Sequence, residues 1–208
     1  MTKTDTYELV VIPCLSDNYA YLVHNHDTGD TALVDAPEAA PIAAALAERG
    51  WRLSDILITH HHYDHIDGVD ALRGDARVIG ARADAHRLPK LDLEVAEGDI
   101  IDICGLDTHI FDVSGHTIGH IAFYMPSFGH VFTADSLMAL GCGRLFEGTP
   151  AQMWDSLQKL RALPPDYSQW LIEITKESID EIMALCDNPN DQYVYPTLTV
   201  EQINEATR

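Results

Sequence analysis

Positive charge is scarce in this chain: 13 Lys and Arg stand against 33 Asp and Glu, for a formal net charge of -20. Such a field repels phosphate backbones and anionic lipid headgroups, which argues against nucleic acid and membrane surfaces as partners. Long apolar runs are also missing; no stretch approaches the ~20 residues that a bilayer-spanning helix needs. The opening residues, Met1-Thr2-Lys3-Thr4-Asp5, show no basic-then-apolar signal pattern, so a soluble, cytoplasmic protein is expected. Cysteine is confined to Cys14, Cys104, Cys142 and Cys186, with no CxxC pair. Buried thiols are therefore expected rather than a disulfide framework or a thiolate zinc site. Repeats, low-complexity tracts and long linkers are absent too. What is present is 208 residues, 46% of them hydrophobic, enough for a sizeable core in one large domain or one domain with a short appendage.

Against that background, Thr59-His60-His61-His62-Tyr63-Asp64-His65 stands out. Four of the chain's eleven histidines fall within these seven positions. Neutral imidazole and carboxylate are the ligands that borderline divalent metals such as zinc prefer. The cluster follows the apolar run Ile56-Leu57-Ile58, which reads as a buried strand. Ligands at the C-terminal end of a strand project from a rigid sheet into a crevice that a substrate can reach. A solvent-facing histidine tract is the alternative; the carboxylate and the preceding strand favour metal binding.

Runs rich in Val, Leu, Ile and Tyr predict strands over 7–13, 18–24 and 31–35, separated by turn-forming Ser16-Asp17 and Asp27-Thr28-Gly29-Asp30. The alanine-rich stretch 39–49 ends at Gly50, a helix with its stop signal. A strand over 56–58, the histidine cluster, a short helix to Leu72 and a strand over 76–80 follow. A second strand-rich half is predicted at 100–104, 109–113, 121–124 and 131–133. A helix then covers 153–163, with Pro150 near its start. A last strand over 170–174 and a last helix over 178–185 complete the pattern, and the tail from Asn188 is left unassigned. Two strand-rich halves with helices between and after them predict an α/β fold of stacked sheets covered by helices, a four-layer αββα sandwich.

His60 and His62 alternate on one side of an extended segment, so both can reach one metal. Asp64 and His65, at the start of the next helix, can turn toward a second metal nearby. His116 follows a strand through Ser114-Gly115, a turn that aims its ring into the same crevice. Asp135 ends the run Val131-Phe132-Thr133-Ala134, and a carboxylate has two oxygens with which to bridge two cations. Taken singly, Asp135 would read as a turn or helix-capping aspartate and His116 as a loop histidine. Beside the cluster, the ligand reading of each is preferred. His61 should point away from the ligands, and His86 and His109 read as surface or packing residues.

These residues carry a resemblance. The motif HxHxDH, here His60 to His65, resembles that of the metallo-β-lactamase superfamily, and within it the chain is similar to the hydroxyacylglutathione hydrolases (glyoxalase II). The likeness also lies in Ser16-Asp17-Asn18-Tyr19, Val34-Asp35, Gly115-His116-Thr117-Ile118-Gly119-His120 and Phe132-Thr133-Ala134-Asp135-Ser136. Its most discriminating piece is Gly141-Cys142-Gly143-Arg144-Leu145-Phe146-Glu147-Gly148-Thr149. The resemblance implies the αββα fold and two divalent metal ions, zinc in the first place with iron or manganese as alternatives. His60, His62 and His116 would hold one metal, Asp64 and His65 the other, and Asp135 would bridge them. It also implies a small-molecule thioester substrate such as an S-(2-hydroxyacyl)glutathione, hydrolysed by water that the cations acidify. Asp64 and Asp135 are then the candidate catalytic carboxylates, Arg144 and Phe146 candidate substrate contacts, and Asp35 and His120 candidate groups that orient ligand rings by hydrogen bonds.

The likeness also has gaps. The family supplies a further histidine to the second metal, but no histidine follows His130 here. Counted from Leu163-Pro164-Pro165-Asp166, that position falls on Glu173, either a harder replacement ligand or an exposed strand-end acid. Phe146 stands where a tyrosine hydroxyl contacts glutathione, and the late basic residues are limited to Lys176 and Arg208. The expected organisation is a metal-binding hydrolase domain over 1–187, with 188–208 a remnant or shortened form of the family's helical substrate-binding region. Hydrolysis of another small ester, lactone or amide, mononuclear-iron persulfide dioxygenase chemistry, and an inactive relative with an impaired second site remain open at this level. The oligomeric state is not readable from the sequence.

Overall fold

Strict alternation of apolar side chains organises the first half of the chain. Leu9, Val23, Val34, Leu57 and Ile79 are buried on one side of a sheet, while Val10, Leu22, Leu33, Ile56 and Val78 are buried on the other. Successive strand residues point to opposite faces, so a strand apolar at every position must be covered on both. The computed structural model describes residues 2–3, 6–138 and 141–163, and within them this requirement is met.

Strands β1 (Thr2–Lys3), β2 (Tyr7–Cys14), β3 (Asn18–Asn25) and β4 (Thr31–Val34) run antiparallel. Helix α1 (Ala39–Arg49) then crosses over, because parallel strands need a long connection. Strands β5 (Asp55–Leu57), β6 (Arg77–Ala81) and β7 (Leu93–Val95) add in parallel, completing a seven-stranded sheet in chain order. The short helices α2 (Tyr63–Ile66) and α3 (Val69–Leu72) follow β5. A second, antiparallel sheet is built from β8 (Ile100–Ile103), β9 (Leu106–Asp112), β10 (Ile121–Met125) and β11 (His130–Phe132) in the order β11-β10-β9-β8. Helix α4 (Pro150–Arg161) closes the described chain.

Three buried clusters define the layers. Between the sheets, Leu9, Val23, Val34 and Leu57 meet Ile103, Ile110, Phe123 and Phe132. On the far side of the first sheet, Ile42 of α1 and Val69 of α3 cover Leu22, Leu33 and Ile56. On the far side of the second, Met153, Leu157 and Leu160 of α4 cover Val113 and Ala122. The result is the expected four-layer αββα sandwich.

Element ends differ in informative places. Gly50 terminates α1 in a left-handed conformation at φ 67°, with the Trp51 N–H returning to the Leu46 carbonyl, as its position implied. The strand expected at 109 begins at Leu106, because Cys104 and Gly105 both take positive φ, 54° and 80°, and fold β8 onto β9 as a tight hairpin. Strand β7 was not expected: three residues carry too little pattern, and it exists by pairing with β6. Helix α4 starts at Pro150, where the proline marked it and three residues before the apolar spacing begins, and Thr149 and Gln152 form a reciprocal capping box there. The expected strand over 170–174, the helix over 178–185, Cys186 and the tail 188–208 lie outside the described residues. Cys14, Cys104 and Cys142 form no disulfide. No helix among the described residues is long and apolar enough to cross a membrane.

Asp35 follows β4 and His60 lies just beyond β5, both at the C-terminal edge of the parallel strands. The loops after β9 and β11 reach the same edge from the second sheet. Phe123 is fully buried in the layer joining the two sheets. Phe123→Ala is expected to lower unfolding free energy by about 3–5 kcal/mol, read from the denaturant midpoint. A loss of about 1 kcal/mol or less would mean that the inter-sheet layer does not carry the fold.

Candidate metal centre

The backbone from Ile58 to His62 extends β5 across the gap between the sheets. The Ile58 N–H donates to the Ile79 carbonyl, and the Thr59 carbonyl accepts the Ile121 N–H from β10 at 3.0 Å. His60 thus leaves a backbone anchored on both sheets and is fully buried. Helix α2 begins at the next residues and turns His65 inward.

Three of the inward-facing rings, His60, His65 and His116, are pinned by their outer nitrogens. The Asp35 carboxylate accepts the Thr59 N–H at 2.9 Å, the Thr59 hydroxyl at 2.8 Å and His65 Nδ1 at 2.8 Å. With its proton committed to Asp35, the Thr59 oxygen accepts from His60 Nδ1 at 3.0 Å. His116 Nδ1 donates to the Arg144 carbonyl at 2.7 Å. Three Nε2 atoms are left facing the crevice. His60 Nε2 is buried with no hydrogen-bond partner among the described residues, an arrangement that costs free energy unless something else satisfies it.

Asp135 lies between the rings. Its Oδ1 is 3.2 Å from His65 Nε2 and its Oδ2 is 3.2 Å from His116 Nε2. His116 Nε2 also lies 2.9 Å from His62 Nδ1. Two sets emerge whose ligand atoms lie within 4.8 Å of one another: His60, His62 and His116, and His60, His65 and Asp135. The structure thus brings together five of the expected ligands. Asp64 lies at the edge, its Oδ2 3.8 Å from His65 Nε2 and 3.4 Å from Asn18 Nδ2, and it is in neither set. Glu173 lies outside the described residues.

The electrostatics favour ligand-ready forms for most of the set. Burial and the crowding of neighbouring imidazoles hold His60 well below the ordinary histidine value, and burial lowers His62 and His116. For Asp135, burial works toward protonation, but the hydrogen bond and charge of His65 and the other rings prevail and hold it at about 2. His65 is the exception. Burial opposes its charge, yet Asp35 and Asp135 raise it to about 10, so its Nε2 must give up a proton to take a cation. Neutral rings, an ionised carboxylate and an orphaned buried Nε2 fit a divalent cation.

Other expected residues take more specific places. His120 stacks on His60 at 4.5 Å between centroids and 14° between planes. Its Nδ1 bonds the Ile121 carbonyl and its Nε2 has no partner among the described residues. It therefore supports a ligand ring by stacking, where a hydrogen bond was expected, and burial depresses it to about 3. The His61 ring turns away to Asp84, 2.8 Å from its Nδ1. Phe146 is 60% exposed and sets its edge against His62 and His116 at 5.4 and 5.3 Å. The Arg144 guanidinium lies 5.5 Å from the Phe146 centroid, so cation and ring share the rim.

Residues 15–168 match the metallo-beta-lactamase superfamily. The chain belongs to this superfamily. Membership implies divalent metal binding, in keeping with the two ligand sets. A relative from Ruegeria pomeroyi named hydroxyacylglutathione hydrolase is 66% identical over 161 residues, covering 76% of this chain and 63% of that protein. The chain thus spans under two thirds of the relative's length. Among solved structures, ETHE1 from Myxococcus xanthus is similar at a TM-score of 0.67 and 25% identity, covering 88% of this chain and 92% of that one. TTHA1623 in a di-iron-bound form is similar at 0.63 and 28%, covering 74% and 86%.

Sequence reasoning did not find Thr59, the relay between Asp35 and His60, nor the role of Asn18, whose Nδ2 donates to the Asp64 carbonyl at 2.6 Å. The signal for Thr59 was its place at the strand end. It also passed over why the Gly-Cys-Gly segment is glycine-rich. The Gly143 N–H donates to the Asp135 carbonyl at 2.7 Å, and a Cβ on Gly143 would lie 2.0 Å from that oxygen and 2.9 Å from His116 Nδ1. Gly143→Ala is therefore expected to displace Asp135 and His116 and to weaken zinc binding by about 10–100-fold, the range for disturbed ligand supports. Equilibrium dialysis against zinc, with circular dichroism to confirm folding, checks this; unchanged zinc affinity would show that the close approach does not constrain the ligands.

Proposed function

We propose that this chain is a metal-dependent thioesterase of the glyoxalase II type, cleaving S-(2-hydroxyacyl)glutathione to a 2-hydroxy acid and glutathione. The observation that carries the reading is the placement of Asp135 between His65 and His116, one carboxylate oxygen toward each ring. That geometry suits a carboxylate shared by two cations. The similarity to a protein named hydroxyacylglutathione hydrolase supports the choice of substrate.

In this reading His60, His62 and His116 hold the first ion. Asp64, His65 and Glu173 would serve the second, and Asp135 would be shared by both. Zinc is the expected metal, with iron or manganese as alternatives. When bound, the cations supply Lewis acidity, lowering the pKa of water and polarising the thioester carbonyl. The chain's own residues do the rest. Asp64, half-exposed beside the ligand sets, accepts a hydrogen bond from the attacking water and orients it. The Asp35–His65 and Thr59–His60 hydrogen bonds keep the rings from rotating as charge develops. Arg144 pairs with a substrate carboxylate at the rim, and Phe146 offers the adjoining apolar surface. As the water oxygen adds to the carbonyl carbon its proton passes to solvent, the C–S bond breaks with its electron pair going to sulfur, and the thiolate departs with little need of a general acid. The hydrolase domain spans 1–187 and acts on a small molecule in the cytoplasm, with the segment 188–208 serving substrate binding.

Purified protein loaded with zinc should hydrolyse S-lactoylglutathione, and His116→Ala or Asp135→Ala should abolish this while leaving the fold intact. Near-wild-type rates in either variant, or faster turnover of a lactone or β-lactam than of the thioester, would overturn the reading. Glu173→Ala is expected to lower zinc stoichiometry by one ion, measured by elemental analysis; unchanged stoichiometry would remove Glu173 from the ligand set.

A further inference from the structure

Behind the ligands, and making no hydrogen bond to any of them, four charged or ionisable side chains from distant segments form a ring. Arg87 Nε donates to Asp84 Oδ1, and its two Nη groups fork onto Glu147, Nη1 to Oε1 and Nη2 to Oε2. Asp84, only 1% exposed, accepts from His61 Nδ1 at 2.8 Å through its other oxygen. His61 Nε2 faces Glu147 Oε1 at 3.7 Å and closes the ring. Glu147 Oε2 also accepts the Ile118 N–H at 2.8 Å.

The three segments tied by this ring are the ones that set the first ligand group. His61 lies between His60 and His62. Ile118 is on the loop that carries His116. Glu147 is on the segment whose Arg144 carbonyl accepts His116 Nδ1 and whose Phe146 N–H donates to the His116 carbonyl. That loop packs so tightly on Asp84 that a Cβ on Gly119 would sit 2.9 Å from the Asp84 Cβ. Lysine could replace the arginine only in part, because it keeps the charge but only a guanidinium reaches two carboxylates in a fixed plane.

We infer that Arg87 is a positioning residue for the metal centre, holding segment 143–148 and the His116 loop in register with His60 and His62. The inference rests on the metal-binding part of the proposed function and is independent of the substrate. Loss of the guanidinium would leave the buried Asp84 carboxylate with only its His61 bond and let the His116 side drift from the His62 side, so the three-histidine group would no longer be preformed.

The test is zinc affinity of the full chain, by competition with a chromogenic chelator, with circular dichroism and thermal melting to monitor the fold. Arg87→Ala and Glu147→Gln should each weaken the tighter-bound zinc by about 10–100-fold, the range for lost supports of ligand orientation. Arg87→Lys should recover part of that loss. Arg73→Ala, which breaks a separate surface pair with Asp92, should leave affinity unchanged. Should Arg87→Ala not fold, Glu147→Gln decides alone. Affinities within about twofold of wild type for the folded variants, or an equal loss in Arg73→Ala, would sink the inference. Wild-type protein that shows the Arg87 dependence yet does not hydrolyse S-lactoylglutathione would leave the positioning role standing and remove the substrate reading. Wild-type protein that binds no zinc would remove both.

Discussion

The Asp35 carboxylate accepts three hydrogen bonds from two residues of the histidine segment, and the centre is organised around it. It draws Thr59 and His65 to one point, and through the Thr59 hydroxyl it also orients His60. Asp35 does this from a left-handed backbone conformation, φ 54°, which aspartate tolerates better than most residues but which still stores strain. That strain is offset by a buried network in which every carboxylate oxygen is used. Ring rotation about the Cβ–Cγ bond would otherwise leave several orientations of each imidazole accessible, and a cation would have to select among them.

Crowding these rings together runs against ordinary folding energetics. His60 touches His62, His65, His116 and His120 ring to ring, and burial strips them of water. The rings avoid mutual charge repulsion because burial favours the neutral form of most of them, while the two carboxylates beside His65 draw that ring toward its charged form. Leaving His60 Nε2 unsatisfied costs on the order of 1–3 kcal/mol. A protein built only for stability would not keep such an atom; a protein built to receive a cation needs it.

Acidity elsewhere in the chain has a local exception. At the rim of the centre Phe146, 60% exposed, sets an apolar ring against His62 and His116, and Arg144 stands beside it as a cation. In a chain of net charge -20, a cation in that position gives an anionic small molecule a local attraction that the whole-molecule field denies to polyanions.

Much of the architecture was legible because it rests on local pattern. Runs rich in Val, Leu, Ile and Tyr announced the strands, Gly50 announced the end of α1, and ligands clustered within one segment announced the metal centre. The hairpin at Cys104-Gly105 and the three-residue β7 were not, since each depends on a turn conformation or a pairing rather than on a run of side chains. The sequence by itself determined the layers and the chemistry of the donor set, because burial period and ligand type are properties of single segments. Only the tertiary structure decided that Asp135 faces both His65 and His116, that His120 stacks where it might have bonded, and that Arg87 closes a ring from residue 61 to residue 147. Those are contacts between parts of the chain far apart in order, and only the packing of one sheet on the other brings them within a few ångströms.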